Sequence, residues 1–251
     1  MRARERQELI AEVVSREGKA SVEHLAQRLD VSVETIRRDL GFLDDHGIVK
    51  KIHGGATRLQ LRKEGSFSER AGENVDAKRA IANKLFDVIE DGATLFIDTG
   101  STTLACAEVL AVTKTLTVVT NSARIASTFA AAGRHKVFLL GGEFGADNAE
   151  TLGAMTLRQV ADFHADYALI SPAAVESGTG VTDADFGEAS VARAMIEQAE
   201  KLIVVADHSK FEKRAAHLVS RLDQIDVFVC DREPDTLLRQ RLETGMVILR
   251  S

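Results

Sequence analysis

Cysteine is scarce: two in 251 residues, Cys106 and Cys230, far apart and each in an apolar run. That excludes a disulfide framework and fits a reducing compartment, with both thiols as small core residues. No cysteine–histidine cluster has metal-ligand spacing, so no metal site is expected. No apolar run approaches membrane-spanning length, and the first residues are charged rather than a signal sequence's apolar core. A cytoplasmic protein with no membrane segment is therefore expected. Walker-type phosphate loops, dinucleotide fingerprints, internal repeats and low-complexity tracts are also missing, and no cofactor is expected. Positive charge is in deficit, with 32 Lys+Arg against 38 Asp+Glu, a balance that by itself argues against nucleic acid.

The deficit is unevenly spread. The first 63 residues hold 13 Lys+Arg and 10 Asp+Glu, net +3, which leaves 19 and 28, net −9, for the rest. A basic head on an acidic body can bind DNA while the body keeps non-specific affinity low. The length suits one small N-terminal module and one larger domain.

Within the head, Val31 to Leu40 reads as the start of a capped amphipathic helix. Ser32 can accept a first-turn N–H, while Ile36, Leu40 and Leu43 form one apolar stripe. Glu34, Thr35, Arg37 and Arg38 face the other way, and Gly47 is the expected stop. Taken alone, this is equally the pattern of a solvated surface helix. Its surroundings decide. Arg6 to Glu17 reads as a helix with Leu9, Ile10, Val13 and Val14 inward. Ser21 caps a second helix packed through Val22, Leu25, Ala26 and Leu29, and a tight turn at Asp30 leads into the arginine helix. That is helix-turn-helix spacing. Ile48 to Ala56, with Gly54-Gly55, reads as a β-ribbon wing. Arg37 and Arg38 can read guanine edges in a major groove. Lys50, Lys51 and His53, with Arg2, Arg4 and Arg6, would contact phosphates.

Leu61 to Asp76 is charged and poor in aliphatics, a linker in which Phe67 is expected to dock on a domain. Beyond it, helices alternate with the apolar runs Thr94–Ile97, Leu116–Thr120, Val137–Leu140, Tyr167–Ile170, Leu202–Ala206 and Val227–Val229. Such alternation predicts a parallel α/β sheet covered on both faces. Ligands of such sheets bind at the carboxyl ends of strands. Asp98 to Thr103 leaves a strand and opens a helix, so its N–H groups, Gly100 and the hydroxyls of Ser101, Thr102 and Thr103 make a candidate anion site. A plain capped turn has the same pattern. Thr120 and Asn121, Gly141 and Gly142, Asp183 and Glu188, and Lys210 stand at other strand ends. Each has a bland reading alone: a cap, a tight turn, a favoured helix start or a solvated lysine. Together they suit a phosphorylated polyol.

These residues resemble the DeoR family of bacterial transcriptional repressors, from about Arg4 to Val229. The resemblance rests on Val31-Ser32, Thr35-Ile36-Arg37-Arg38-Asp39-Leu40, Leu43, Gly47 and His53-Gly54-Gly55-Ala56. It continues through Asp98-Thr99-Gly100-Ser101-Thr102, Thr120-Asn121, Gly141-Gly142-Glu143 and Asp207-His208-Ser209-Lys210-Phe211. It implies a winged helix-turn-helix at residues 1–60, a linker at 61–76 and, at 77–251, a Rossmann-like α/β effector domain akin to ribose-5-phosphate isomerase. Double-stranded operator DNA, a sugar-phosphate effector and a homodimer or homotetramer are implied partners. The phosphate would sit on the Gly100–Thr103 loop with Lys210 nearby, and Val205 to Phe211 is similar to the glycerol-3-phosphate repressor branch. Ala192, where many relatives carry lysine, and Ser171-Pro172 depart from the pattern. Two functions stay open: a regulator without catalytic residues, or an isomerase using Asp98, Asp183 or Glu188 as base. An isomerase has no need of the arginine helix and wing, so the regulator is expected.

Overall fold

The computed structural model describes residues 3–45, 48–58, 64–242 and 247–250. Gly47, Arg2 and residues 61–63, all named above, lie outside them. The head comprises α1 (Ala3–Glu17), β1 (Lys19–Ser21), α2 (Val22–Leu29), α3 (Val33–Asp45), β2 (Val49–Ile52) and β3 (Gly55–Arg58). Ser21 caps α2 by accepting the His24 N–H at 3.1 Å, and Ser32 accepts the Thr35 N–H at 3.2 Å. Between the two helices Asp30 turns the chain in the left-handed region, φ 51°. Ile10, Val14, Leu25, Ile36, Leu40 and Leu43 close one core, each side chain contributing ~1.5–3 kcal/mol by burial. Leu9, expected inward, is instead 38% exposed, because the other apolar positions of α1 fill the contact with α3.

β2 and β3 form an antiparallel hairpin, and β3 also pairs with β1 in a three-stranded sheet. A Cβ on Gly55 would lie 2.2 Å from the Ala20 carbonyl oxygen. Only glycine lets the wing cross β1 that closely.

The stretch expected as linker contains structure of its own. α4 (Phe67–Gly72) opens with a capping box between Ser66 and Glu69. Phe67 is buried, its N–H donating to Asp147 Oδ2 at 2.9 Å and its ring lying under the Arg124 guanidinium. α5 (Val75–Val88) follows after Asn74.

The second domain runs β4 (Thr94–Ile97), α6 (Ser101–Thr113), β5 (Thr117–Thr120), α7 (Ala123–Ala132), β6 (Lys136–Leu139), β7 (Glu143–Gly145), β8 (Glu150–Leu152), α8 (Ala154–Val160) and β9 (Ala165–Ile170). It continues with β10 (Ala174–Glu176), β11 (Gly180–Asp183), α9 (Phe186–Glu197), β12 (Ala199–Ala206), β13 (His217–Ser220), β14 (Val227–Cys230), α10 (Thr236–Leu242) and β15 (Val247–Arg250). Seven strands make one parallel sheet in the order β15-β14-β12-β9-β4-β5-β6. Alternation along each strand feeds two cores. Leu95, Ile97, Val118, Leu169 and Val205 face α5, α6 and α7, while Phe96, Val119, Ile170 and Val204 face the side covered by α8, α9 and α10. Cys106 and Cys230 are buried thiols within these cores.

From β4 the chain first winds outward to β5 and β6, then returns to the other side of β4 as β9. The order therefore reverses between β4 and β9, the place where open α/β sheets leave a crevice. Two insertions flank it: the β7–β8 hairpin and the antiparallel sheet β10-β11-β13.

Candidate DNA-reading head and effector site

On the head, Ser32, Glu34, Arg37 and Arg38 are exposed along one side of α3, and Thr35 is half-buried beside Ser32. Glu34 holds the two arginines only loosely, at 3.9 and 3.7 Å. Both guanidiniums are thus free to exchange that contact for another. Lys50, Lys51 and His53 are exposed on the wing, and the Lys51 backbone N–H donates to Asp44 Oδ1 at 2.7 Å, which fixes the wing against the end of α3.

Arg6 does something other than contact phosphate. Its Nε and Nη2 donate to the two oxygens of buried Asp39 at 2.5 and 3.1 Å, and Gln7 adds a third bond at 3.2 Å. A bidentate arginine–carboxylate pair is the strong, directional form of that contact. Arg6 therefore fixes α1 to the arginine helix and is not a surface cation. Arg4 remains exposed, beside Glu8.

At the strand ends of the second domain, the reversal point is bridged directly. The Ser171 N–H, at the end of β9, donates to both Asp98 oxygens at 3.2 Å. Burial pushes the Asp98 carboxyl well above the usual carboxylate range, and the charges of Asp183, Glu188 and Glu150 push the same way. Gly100 packs where a Cβ would sit 2.9 Å from Thr103 Oγ1 and 3.3 Å from Ser171 Cβ. Ser101 opens α6 and is half-exposed; Thr102 is buried. Thr103 is a correction: it is fully buried and its hydroxyl donates to the Gly100 carbonyl at 3.1 Å, holding the loop rather than offering a proton to a ligand.

Thr120 and Asn121 are buried together. Thr120 Oγ1 accepts the Ser122 N–H at 3.0 Å, while Asn121 Nδ2 donates to the Thr151 carbonyl at 3.1 Å and leaves its Oδ1 without a partner. Gly141 and Gly142 form a tight turn against neighbouring elements. A Cβ on Gly142 would fall 2.1 Å from Thr156 Oγ1 and 2.5 Å from the Leu152 oxygen, and Gly141 is bonded to Gln159 and Thr156. Their close approach is to the protein's own hairpin and α8.

The densest chemistry lies around Asp183, Glu188 and Lys210. Lys210 ends a 3-10 turn (His208–Lys210) and is 93% buried, its Nζ 2.8 Å from Glu64 Oε1. The other oxygen of Glu64 lies 3.0 Å from Arg70 Nη1. Arg70 also donates to Asn148 Oδ1, and Asn148 Nδ2 reaches Glu188 at 2.8 Å and Glu150 at 3.1 Å. Buried Lys78 donates to the carbonyls of Arg70 and Glu73 and so holds the segment that carries Arg70. Burial and the nearby charge of Glu64 push Asp183 up to about 6, although the Ala184 N–H donates to it at 2.6 Å. Burial raises Glu188, reinforced by Glu150, and burial likewise raises Glu150. Glu64, Asp183 and Glu188 bring carboxylate oxygens within 4.8 Å of one another, but both oxygens of Glu64 are already held by cations. Asp185 caps α9 through the Gly187 and Glu188 N–H groups. One cleft, between α5 and α6, is lined by Lys78, Arg79 and Ser101, and another lies at the opposite ends of the central strands beside Glu90, Asp166 and Lys201.

A helix-turn-helix head with an exposed arginine pair and a buried polar cluster at the strand ends are matched on this chain by known families over nearly its whole length. Residues 6–61 match the DeoR-like helix-turn-helix domain, and residues 73–232 match the DeoR C terminal sensor domain. The chain belongs to the DeoR family. It is 33% identical over 235 residues to the HTH-type transcriptional repressor CsqR of Escherichia coli, covering 94% of this chain and 90% of that one. It is 30% identical over 242 residues, 96% of each, to the glycerol-3-phosphate regulon repressor of the same bacterium. The L-fucose operon activator of Haemophilus influenzae is 33% identical over 234 residues, 92% of this chain and 94% of that one. Among solved structures, ribose 5-phosphate isomerase A of Methanocaldococcus jannaschii aligns over 55% of each chain at 17% identity and TM-score 0.42.

As a DeoR-family protein the chain is a DNA-binding regulator of transcription, not an isomerase. Its two departures from the family pattern fall in different places. Ala192 is 3% exposed in the core, where lysine would have no water. Ser171-Pro172 stands at the sheet reversal itself, where Ser171 anchors Asp98. Four residues of the polar cluster were not legible in the sequence: Glu64, Arg70, Asn148 and Glu150. Their partners lie up to 146 positions away, and no local pattern marks such a meeting. The repeated acids and amides bordering the reversal loops were the one available signal. Among the described residues no helix is long and apolar enough to cross a membrane.

Proposed function

We propose that this DeoR-family protein represses carbohydrate catabolic genes in the cytoplasm and releases its operator when a phosphorylated sugar or sugar alcohol binds. Arg37 and Arg38, with Ser32, Glu34 and Thr35, read bases in the major groove, and Lys50, Lys51 and His53 position the wing on phosphates. The effector lies at the sheet reversal, its hydroxyls meeting Asp98, Asn121, Asp183 and Glu188 and its phosphate meeting Lys210 and the Gly100–Thr102 loop. One observation carries this reading. Buried carboxylates, an amide with an unfilled acceptor and a buried lysine converge at the reversal point, in the same chain as an exposed arginine helix. The name of the glycerol-3-phosphate regulon repressor makes glycerol 3-phosphate one candidate effector. The L-fucose operon activator is a reminder that relatives differ in the sense of regulation.

The protein acts as a homodimer or homotetramer, so that ligand binding changes the spacing of paired arginine helices. Only a ligand with different affinities for the two arrangements can drive such a change. A thermal-shift screen against phosphorylated and unphosphorylated sugars and sugar alcohols tests the effector class. A ligand at about 100 times its Kd adds ~2.7 kcal/mol to native stability. One phosphate ester should raise Tm selectively; a rise with unphosphorylated sugars alone would remove the phosphate site.

A further inference from the structure

Glu64 is the feature of the effector domain that a sensor site does not by itself require. It lies between the end of β3 at Arg58 and the start of α4 at Phe67, on the segment that joins the head to the body. Its two carboxylate oxygens are each held by a different cation, Lys210 at 2.8 Å and Arg70 at 3.0 Å. The three side chains are 13%, 9% and 11% exposed, so this is no surface ion pair. Arg70 is positioned for the contact from several directions, through Asn148, the Gly65 carbonyl at 3.2 Å and the Phe67 ring. Two cations converging on two oxygens of one anion is the arrangement by which proteins hold a phosphate. Glu64 also crowds Asp183 and Glu188, so like charges oppose its seat while the two cations hold it there.

We infer that Arg70 and Lys210 form the subsite for the anionic end of the effector, and that Glu64 fills it in the ligand-free protein and is displaced when the ligand's phosphate enters. This rests on the sensor reading above and deepens it. The consequence is a direct route from ligand to DNA. Displacing Glu64 removes the ion pairs that hold the start of the described body, next in sequence to the head, at the moment the effector binds, whichever sugar the remaining pocket selects. Arg70 thereby becomes a phosphate-binding residue, which nothing in the sequence marked. Glu64 sets the threshold concentration, because a site that is free about one-tenth of the time binds its ligand about tenfold more weakly.

The test uses inorganic phosphate, titrated calorimetrically into the full-length protein, with Glu64→Gln as the nearly isosteric uncharged variant. Glu64→Gln should bind phosphate about tenfold tighter than wild type, and adding Lys210→Ala or Arg70→Gln to it should abolish that gain. Amide hydrogen exchange supplies a second readout. Residues 64–72 should exchange faster in phosphate-saturated wild type, and already faster in ligand-free Glu64→Gln. Equal affinity of wild type and Glu64→Gln, with binding still dependent on Lys210, would overturn the displacement while leaving the sensor site in place. Phosphate binding unaffected by Lys210→Ala would overturn both. A folded Glu64→Gln, checked by its melting transition, that binds no phosphate would also overturn the subsite.

Discussion

Two carboxylates show how environment decides a residue's part. Asp183 is 6% exposed, and burial together with Glu64 moves it from 3.8 to about 6. A carboxyl whose folded pKa is raised binds protons more tightly in the native state, so its stabilising contribution is full below about pH 4 and is lost as pH rises to about 6. The ligand-free effector domain should therefore lose, across that window, on the order of 2 kcal/mol from this group. Asp183→Asn should flatten the loss and raise Tm at pH 8, as measured by melting curves from pH 4 to 8; an unchanged profile would mean that Asp183 is not held in this environment. Asp39 is the opposite case, a buried carboxylate satisfied by Arg6 and Gln7. Asp39→Ala should cost about 3 kcal/mol of head stability, because the Arg6 guanidinium is left buried without its partner. Urea unfolding measures this, and a loss within error of zero would show the pair to be incidental. The sequence showed Asp39 only as part of the arginine-helix motif, and Arg6 only as the start of the first helix and a phosphate contact. Their pairing across 33 positions depends on how α1 crosses α3, which no local pattern specifies.

At the scale of elements, α3 and the wing were readable because their signals are local: a serine cap, an i, i+4, i+7 stripe and a double glycine. The same held for the six strands named from apolar runs. Asp183 was placed at a strand end, but the β7–β8 hairpin and the strands β10 and β13 that pair with β11 were missed, since they are three or four residues long and take their pairing from elsewhere. That omission mattered, because the hairpin carries Glu150 to the polar cluster. The exposed side of α3 carries Glu34, Arg37 and Arg38, with Phe42 further along the helix, so the arginines are the groups on it that can meet an anionic surface. Arg37→Ala or Arg38→Ala should cost ~1–3 kcal/mol of specific DNA binding and relax preference at one base position if that residue reads a base bidentately. Fluorescence anisotropy with DNA selected by the protein from a random pool provides the comparison. Unchanged affinity and unchanged preference in both variants would take α3 out of the groove.

The whole molecule is an acidic sensor domain carrying a basic helix-turn-helix head, joined by a segment whose Glu64 carboxylate reaches into the sensor domain. Net charge follows that division, −9 against +3, so the body adds little non-specific attraction for DNA and the reader confers it. The reversal of strand order between β4 and β9 locates the crevice, and the two insertions bring acids and amides to its rim. The β–α alternation made a parallel sheet legible in advance. It left the order of the strands open, and with it the meeting of Asp98 with Ser171. A phosphate ester bound beside Lys210 should change the grip of α3 on DNA. The most direct measurement titrates a panel of sugar and sugar-alcohol phosphates into wild-type and Lys210→Ala protein, each bound to the selected DNA, and follows release by anisotropy. The expected result is that one ester releases wild type, while Lys210→Ala binds the DNA equally well and stays bound. Release of both proteins at the same ester concentration, or of neither by any ester, would contradict it.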